Sequence, residues 1–180
     1  MSVCRFILIV GIASVIPALV TGQDAVTSCA VPVADTAGWI RRSVGPLLLQ
    51  LPGTARGDTS AQAARGFPHG GGRWLDGDLV IEWGVSERAN AGTAFDSGER
   101  RLTRQSNSAS QILCLPTLPN GWTVRSSSVS IGSGGALMLW FLPPAPRESM
   151  YYIEFRAPSR AAWQRAITAA RTLVLAPRKP

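Results

Sequence analysis

The sequence of 180 residues is poor in histidine and cysteine: it has one histidine, His69, and three cysteines. A structural zinc site usually takes its four ligands from these two residue types. An esterase built on a His-Gly-Gly-Gly loop also needs a second histidine as base and a G-x-S-x-G turn for its nucleophile. Residues 69–72 spell HGGG, but neither of the other parts is present in the sequence. We therefore predict no metal site, no cofactor and no esterase site.

Lysine is nearly absent, since Lys179 is the only one and the remaining basic residues are arginines. The net charge is +7. The arginines are scattered along the chain, whereas a nucleic-acid-binding protein tends to gather its basic residues on one element with aromatic residues between them. We interpret them as a solvated basic surface and expect no nucleic-acid partner. Attraction to the anionic surfaces of a cell envelope is the functional alternative.

Long apolar runs are missing too. The longest, FILIVGIASVIPALV at 6–20, has 15 residues, and a membrane-spanning helix needs about 20. Arg5 precedes this run, and small residues follow it up to Gly22. This pattern predicts a cleavable secretory signal peptide at 1–22, cut between Gly22 and Gln23, so that the protein is exported to the periplasm or secreted. After cleavage we expect no membrane span; an uncleaved anchor is the alternative.

Cleavage removes Cys4 and leaves an even pair of cysteines, Cys29 and Cys114. In an oxidising compartment such a pair is expected to form a disulfide. Two free thiols are one alternative, and lipid attachment to Cys29 is another, because small residues precede that cysteine. Asp24 argues against the lipid, since an acidic residue would have to approach the apolar interior of the membrane. A lipidated Cys29 cannot pair with Cys114, so these two ideas exclude each other.

The rest of the chain divides into an N-terminal arm at 23–38, one predicted domain at 39–176 and a tail at 177–180. The segment GPLLLQLP at 45–52 predicts a strand that is ended by prolines. The glycines and the small polar residues of 53–72 predict a loop.

A hairpin is predicted next, because Asp76-Gly77 lies between two apolar runs and is a favoured two-residue turn. In the strand that follows, Leu79, Ile81 and Trp83 alternate with residues of the other face. We expect these three side chains to face the core.

Residues 86–108 hold few apolar side chains and predict an exposed connection or a ragged edge strand. Four further strands are predicted at 109–115, 122–131, 136–142 and 150–155. A helix is predicted after Ser159, a good N-cap residue, with an apolar stripe made of Trp163, Ile167, Ala170 and Val174. This order predicts an α+β fold, in which an antiparallel sheet of about six strands carries a C-terminal amphipathic helix packed on it.

The order of elements resembles that of PsbP-like domains. It runs from GPLLLQLP at 45–52 through a Gly/Trp-rich hairpin to a strand, a proline break, a strand and a final amphipathic helix. The resemblance covers roughly 40–175 and is carried by element order. It implies a small sheet-and-helix module of exported proteins with a role in binding or assembly, and it implies no particular site residue.

Carboxylates offer two further candidate sites. Asp76 and Asp78 flank a turn glycine, as the first ligands of a calcium loop would, but no third or fourth ligand follows at that spacing. Aspartate is common in turns because its side chain hydrogen-bonds the nearby backbone, and this explains both residues. Glu82 and Glu154, or Asp78 with one of them, offer a pair for glycoside hydrolysis. Both glutamates alternate with apolar residues on predicted strands, so we interpret them as side chains on solvated strand faces.

Tryptophan is the residue type that stands out, with six in the chain. Aromatic side chains line many ligand grooves, but they more often fill the core of a sheet-and-helix domain. We therefore predict that these are core residues: Trp39, Trp74, Trp83, Trp122, Trp140 and Trp163.

No catalytic constellation remains, and the leading hypothesis is a non-catalytic binding or accessory module of the cell envelope, whose partner is an envelope protein or a ligand. A small secreted hydrolase and a lipid-anchored structural protein of the envelope are the alternatives. Two carboxylates with raised pKa values in one pocket would favour the hydrolase, whereas carboxylates that are already satisfied by partners would argue against it.

Overall fold

The computed structural model describes residues 35–58, 69–104, 115, 117–119 and 121–177. Several predicted features lie outside these residues: the signal peptide at 1–22 with its cleavage site at Gly22 and Gln23, the cysteines Cys29 and Cys114, and all but the last residue of the strand at 109–115. Within the described part, no helix is long and apolar enough to cross a membrane.

Six strands of the described residues form one antiparallel sheet. They are β3 Arg56–Asp58, β4 Gly71–Asp76, β5 Leu79–Glu87, β6 Thr123–Ile131, β7 Gly134–Leu142 and β8 Ser149–Ala157. Their order across the sheet is β3-β4-β5-β8-β7-β6. The loop predicted at 53–72 is interrupted, because β3 lies within it and its last two residues begin β4. β7 is buried along almost its whole length, since both faces of the sheet are covered there.

A smaller antiparallel sheet joins the two ends of the described chain. β1 (Trp39–Val44) and β2 (Leu47–Pro52) form a hairpin, and β9 (Val174–Leu175) pairs with the other edge of β2. The backbone N–H of Gln50 also donates a hydrogen bond of 2.7 Å to Oγ1 of Thr172. β2 corresponds to the strand predicted for GPLLLQLP.

Helix α2 (Arg160–Arg171) packs on one face of the large sheet, against β7 and β8. Ser159 caps it as predicted, because its Oγ accepts a hydrogen bond of 3.1 Å from the backbone N–H of Ala162. Trp163 is buried against the sheet. Val174 was predicted to continue the apolar stripe, but it lies in β9 beyond the end of the helix and is half exposed. The predicted α+β fold, an antiparallel sheet with a packed C-terminal helix, is confirmed.

A second helix, α1 (Ala91–Arg104), covers part of the opposite face, over β6 and β7. The prediction of an exposed connection or ragged edge strand was wrong for these residues. Phe95 and Leu102 are the only large apolar side chains of the helix, so its periodic pattern is weak in the sequence. The narrow stripe nevertheless buries Leu102 in a cluster with Trp140 and its neighbours.

The predicted hairpin is present, but its loop is shifted by one residue. Asp76 pairs with Leu79 at the ends of β4 and β5, so the two loop residues are Gly77 and Asp78. Gly77 has a φ of +60°, which glycine adopts readily and which tight hairpin loops require. The three side chains predicted to face the core do so, with Trp83 at its edge.

Two glycines of α1 test how closely this helix approaches the sheet. A Cβ added at Gly98 would lie 2.5 Å from Cε of Met138 and 2.7 Å from Cζ2 of Trp140, and both of these side chains are buried. A Cβ added at Gly92 would meet nothing within 4 Å. We expect Gly98→Ala to destabilise the protein by about 1–3 kcal/mol through overpacking, and Gly92→Ala to stabilise it by about 0.5–1 kcal/mol through helix propensity.

Urea denaturation of the two variants and the wild type measures these free energies of unfolding. Equal effects of the two substitutions would contradict the close approach of α1 to β7.

Candidate functional site

A row of charged side chains crosses the α1 side of the large sheet. The strand register places Glu82 of β5 directly opposite Glu154 of β8, and Arg73 of β4 directly opposite Glu82. Since residues at i and i+2 of a strand share a face, Tyr152 and Arg156 lie on the same side as Glu154. The fold therefore brings together two glutamates that are far apart in the sequence.

The carboxylate of Glu154 is buried, with its side chain only 3% exposed. Three donors reach it. Nε of Arg156 lies 2.8 Å from Oε1, while Nη2 of Arg101 and the hydroxyl of Tyr152 both donate to Oε2. The interpretation of Glu154 as a side chain on a solvated strand face was wrong, because helix α1, which was not predicted, brings Arg101 to it. Glu154 is thus a buried anion with a complete set of partners.

The protonation states of this cluster follow from its surroundings. Burial raises the pKa of Glu154, but hydrogen bonds from Arg156 and Tyr152 and the charges of Arg156 and Arg101 lower it by more, so the pKa lies below its ordinary value. The pKa of Tyr152 is raised well above its ordinary value, first by burial and then by the negative charge of Glu154. At neutral pH Glu154 is a carboxylate and Tyr152 is a neutral phenol that donates to it.

Arginines and glutamates alternate along the row. Nη2 of Arg73 lies 3.1 Å from Oε1 of Glu82, and Nη2 of Arg156 lies 2.8 Å from Oε2 of the same residue. Arg156 therefore bridges the two glutamates. We call the series Arg73, Glu82, Arg156, Glu154 and Arg101 the arginine–glutamate network. Its three arginines are partly exposed, and each is also paired with a carboxylate, which the interpretation as a solvated basic surface did not include.

A cleft of about 440 Å³ lies between α1 and the arginine–glutamate network. Arg101 and Ser97 of α1 line one side, and Glu82 and Ser86 of β5 line another. The apolar part of the lining consists of Ala94, Met138, Trp140 and Met150. Small-molecule sites have volumes of this order. We call this cavity the α1 cleft.

The other candidate residues lie elsewhere. His69 pairs with Glu87, with 3.4 Å between Nε2 and Oε1, and both side chains are about half exposed. Asp76 and Asp78 both pair with Arg165 of α2, at 2.8 Å from Nε to Oδ2 and 3.0 Å from Nη2 to Oδ1, respectively. The two aspartates therefore hold α2 against the tip of the hairpin, a role that turn chemistry alone did not predict.

The tryptophans belong to the core, as predicted. Trp74, Trp140 and Trp163 are buried, and the remaining ones are partly buried and pack against the core: Trp39, Trp83 and Trp122. Trp74 stacks on Trp83 with 5.4 Å between the ring centroids. Trp140 also lines the α1 cleft.

Sequence reasoning missed Arg101, Tyr152 and Arg156. One signal for two of them was available, because Tyr152, Glu154 and Arg156 alternate along a predicted strand and therefore share a face. A hydroxyl and a guanidinium on either side of a carboxylate indicate a hydrogen-bonded cluster. Arg101 gave no such signal, since its helix was not predicted.

No protein-family model matches the chain, and no curated protein is significantly similar to it. Among the described residues, no group of three or more His, Cys, Asp or Glu side chains is arranged to hold a metal ion. The function of the site is therefore inferred from its own geometry.

Replacing Glu154 tests the arginine–glutamate network. Glu154→Gln removes the anion that Arg101 and Arg156 share, but both guanidiniums are partly exposed and Arg156 keeps Glu82 as a partner. We therefore expect the free energy of unfolding at neutral pH to fall by about 1–3 kcal/mol. The pKa of Glu154 in the fold lies below its ordinary value of 4.5. Its carboxylate therefore stabilises the fold above that pH, and this stabilisation is lost as the pH falls through the lowered pKa.

Urea denaturation at neutral pH and at several pH values below 4.5 measures the difference between the wild type and Glu154→Gln, which should shrink as the pH falls. Glu99→Gln, on the exposed side of α1, is the matched control and should change stability by less than about 0.5 kcal/mol. A difference that does not vary with pH would contradict the assigned state of Glu154.

Proposed function

We propose that this protein is an exported, non-catalytic binding or accessory module of the cell envelope. Its partner is an envelope protein or a ligand, and we expect no nucleic-acid partner. The proposal is supported by the state of the arginine–glutamate network and by the pattern of the first 22 residues.

The observation that carries the non-catalytic part is that guanidinium groups occupy both carboxylates of the network. A glycoside hydrolase needs one carboxyl whose raised pKa retains a proton for the leaving group, and a second that acts as base or nucleophile. Glu154 has a lowered pKa and so has no proton to give at neutral pH. Glu82 is paired with both Arg73 and Arg156. The network is suited to holding charges in place rather than to transferring protons.

A small secreted hydrolase remains the alternative from another class. Outside the network, His69 and Glu87 line a cavity together with the serines Ser86 and Ser149. Among the described residues, however, no serine hydroxyl is hydrogen-bonded to His69, which is the contact by which an adjacent base activates a serine nucleophile. The geometry therefore gives this alternative less support.

Export is supported by the short apolar run and by the small residues before the cut between Gly22 and Gln23. The resemblance of the element order to PsbP-like domains agrees with this, because such domains occur in exported proteins. We propose a disulfide between Cys29 and Cys114 in the oxidising compartment. Lipid attachment to Cys29, which would make the protein a lipid-anchored structural component, is the alternative.

The intact mass of the protein recovered from the exported fraction tests this part. We expect a chain that starts at Gln23 and gains the mass of two hydrogens when the disulfide between Cys29 and Cys114 is reduced. A chain that still starts at Met1 would contradict export as proposed. A chain that starts at Cys29 and carries a lipid would favour the lipid-anchored alternative.

Turnover measurements test the non-catalytic part. We expect wild type and Glu82→Gln to give the same background with panels of chromogenic glycosides and esters. Glu82 is partly exposed, so its replacement perturbs the fold less than that of Glu154. Turnover that falls by about a hundredfold or more in Glu82→Gln, the loss typical of a missing acid–base catalyst, and not in Glu99→Gln, would identify a hydrolase and overturn the proposal.

A further inference from the structure

Arg101 lines the α1 cleft and keeps 43% of its side chain exposed. We propose that the α1 cleft binds a small organic carboxylate, with the ligand's carboxylate on the guanidinium of Arg101 and its apolar part against the apolar lining. This inference rests on the proposed binding function and deepens it by naming the site and the class of ligand.

The guanidinium of Arg101 has donors left for a ligand. A guanidinium carries five N–H donors in a planar fork. Every hydrogen bond from Arg101 to a described residue comes from Nη2, which contacts Glu154, Tyr152 and Sδ of Met138. Within the described part of the chain, Nη1 and Nε thus remain for a further acceptor, and arginine binds ionised acceptors such as carboxylates more strongly than neutral ones.

The buried part of the network holds this guanidinium in place. Glu154 accepts from Arg101, and the hydroxyl of Tyr152 accepts from the same Nη2 at 3.2 Å. An exposed arginine normally loses rotamer freedom when it binds a ligand, which weakens binding. Glu154 and Tyr152 already hold the side chain of Arg101 in one conformation in the free protein. Binding a ligand therefore costs less rotamer entropy than it would for a free arginine.

The charge of the network determines the charge of the ligand. Arg73, Arg101 and Arg156 contribute three positive charges, and Glu82 and Glu154 contribute two negative ones, so one positive charge is in excess. A monoanion neutralises this excess. A dianion such as sulfate would bring a second negative charge close to the two glutamates, which repel it.

The remaining lining favours an organic anion over an inorganic one. Met138, Trp140 and Met150 all line the cleft, and burying an apolar group against them removes its surface from water. These side chains are themselves only 1–2% exposed, so the apolar wall that a ligand reaches is shallow. A short aliphatic or single-ring carboxylate fits such a wall better than a long acyl chain does.

Titration of the purified protein with benzoate, followed by the chemical shifts of backbone amides, tests the proposal. We expect saturable binding with shifts at Ser86, Ser97 and Arg101. Benzamide has the same shape without the charge, and it should bind at least about tenfold more weakly, because charge-assisted hydrogen bonds are the stronger ones. Sulfate should also bind at least about tenfold more weakly, because it has no apolar group to bury against the cleft lining. Equal binding of benzoate and benzamide, or no saturable binding of benzoate, would overturn the proposal.

Two substitutions locate the bound ligand. Arg101→Gln removes the guanidinium and should weaken benzoate binding at least about tenfold, whereas Arg104→Gln, an exposed arginine on the same helix, should leave it unchanged. Ser97→Trp fills the cleft from α1 without removing a charge and should have the same effect as Arg101→Gln. Affinity equal to that of wild type in Ser97→Trp would exclude the α1 cleft as the site.

If the amide spectrum shows that Arg101→Gln does not fold, Ser97→Trp and the comparison of benzoate with benzamide on the wild type decide the question.

A failure of this inference is distinct from a failure of the proposed function. Absence of benzoate binding would remove the ligand site and leave the network non-catalytic. Turnover that depends on Glu82 would contradict the proposed function whether or not benzoate binds.

Discussion

A charged group that is buried needs hydrogen-bond and ion-pair partners in place of the water molecules it loses. The burial of Glu154 imposes this requirement on the α1 side of the large sheet. Tyr152 and Arg156 meet it from the same strand, and Arg101 meets it from α1. Such an ion pair contributes little net stability compared with apolar packing, yet losing one partner is costly. Because α1 has a narrow apolar stripe, the pairing of Arg101 with Glu154 gives this helix a second attachment that apolar contacts alone would not provide.

The two faces of the large sheet are covered in different ways. On one face α2 brings a broad apolar surface of alanines and Trp163, and the core there is continuous with that of the hairpin formed by β1 and β2. On the other face α1 lies over β6 and β7, and the side chains of β5 and β8 beside it are largely polar. The α1 cleft forms on this second face, beside α1, where an apolar floor meets a row of charges.

Much of the fold could be predicted because its signals are local. The apolar run of β7, the hairpin around Gly77 and the capped helix after Ser159 each depend on a few consecutive residues. α1 was not predictable in the same way. A helix with only two large apolar residues is stabilised mainly by its packing on the sheet, which a local sequence pattern does not show. The burial of Glu154 was missed for the same reason, because its partner Arg101 comes from that helix. The candidate site thus depends on contacts between distant segments, while the sheet depends mainly on neighbouring ones.

The smaller sheet is completed by β9, the last strand of the described residues. β9 follows α2 and pairs with β2, and Thr172 accepts a hydrogen bond from Gln50, a residue 122 positions earlier. Contacts between such distant positions carry a large loop-closure cost and form only when both partners are present. The edge of β2 that faces away from β1 is therefore satisfied only by the segment after α2, so the smaller sheet couples the stability of the N-terminal hairpin to that of residues 172–175.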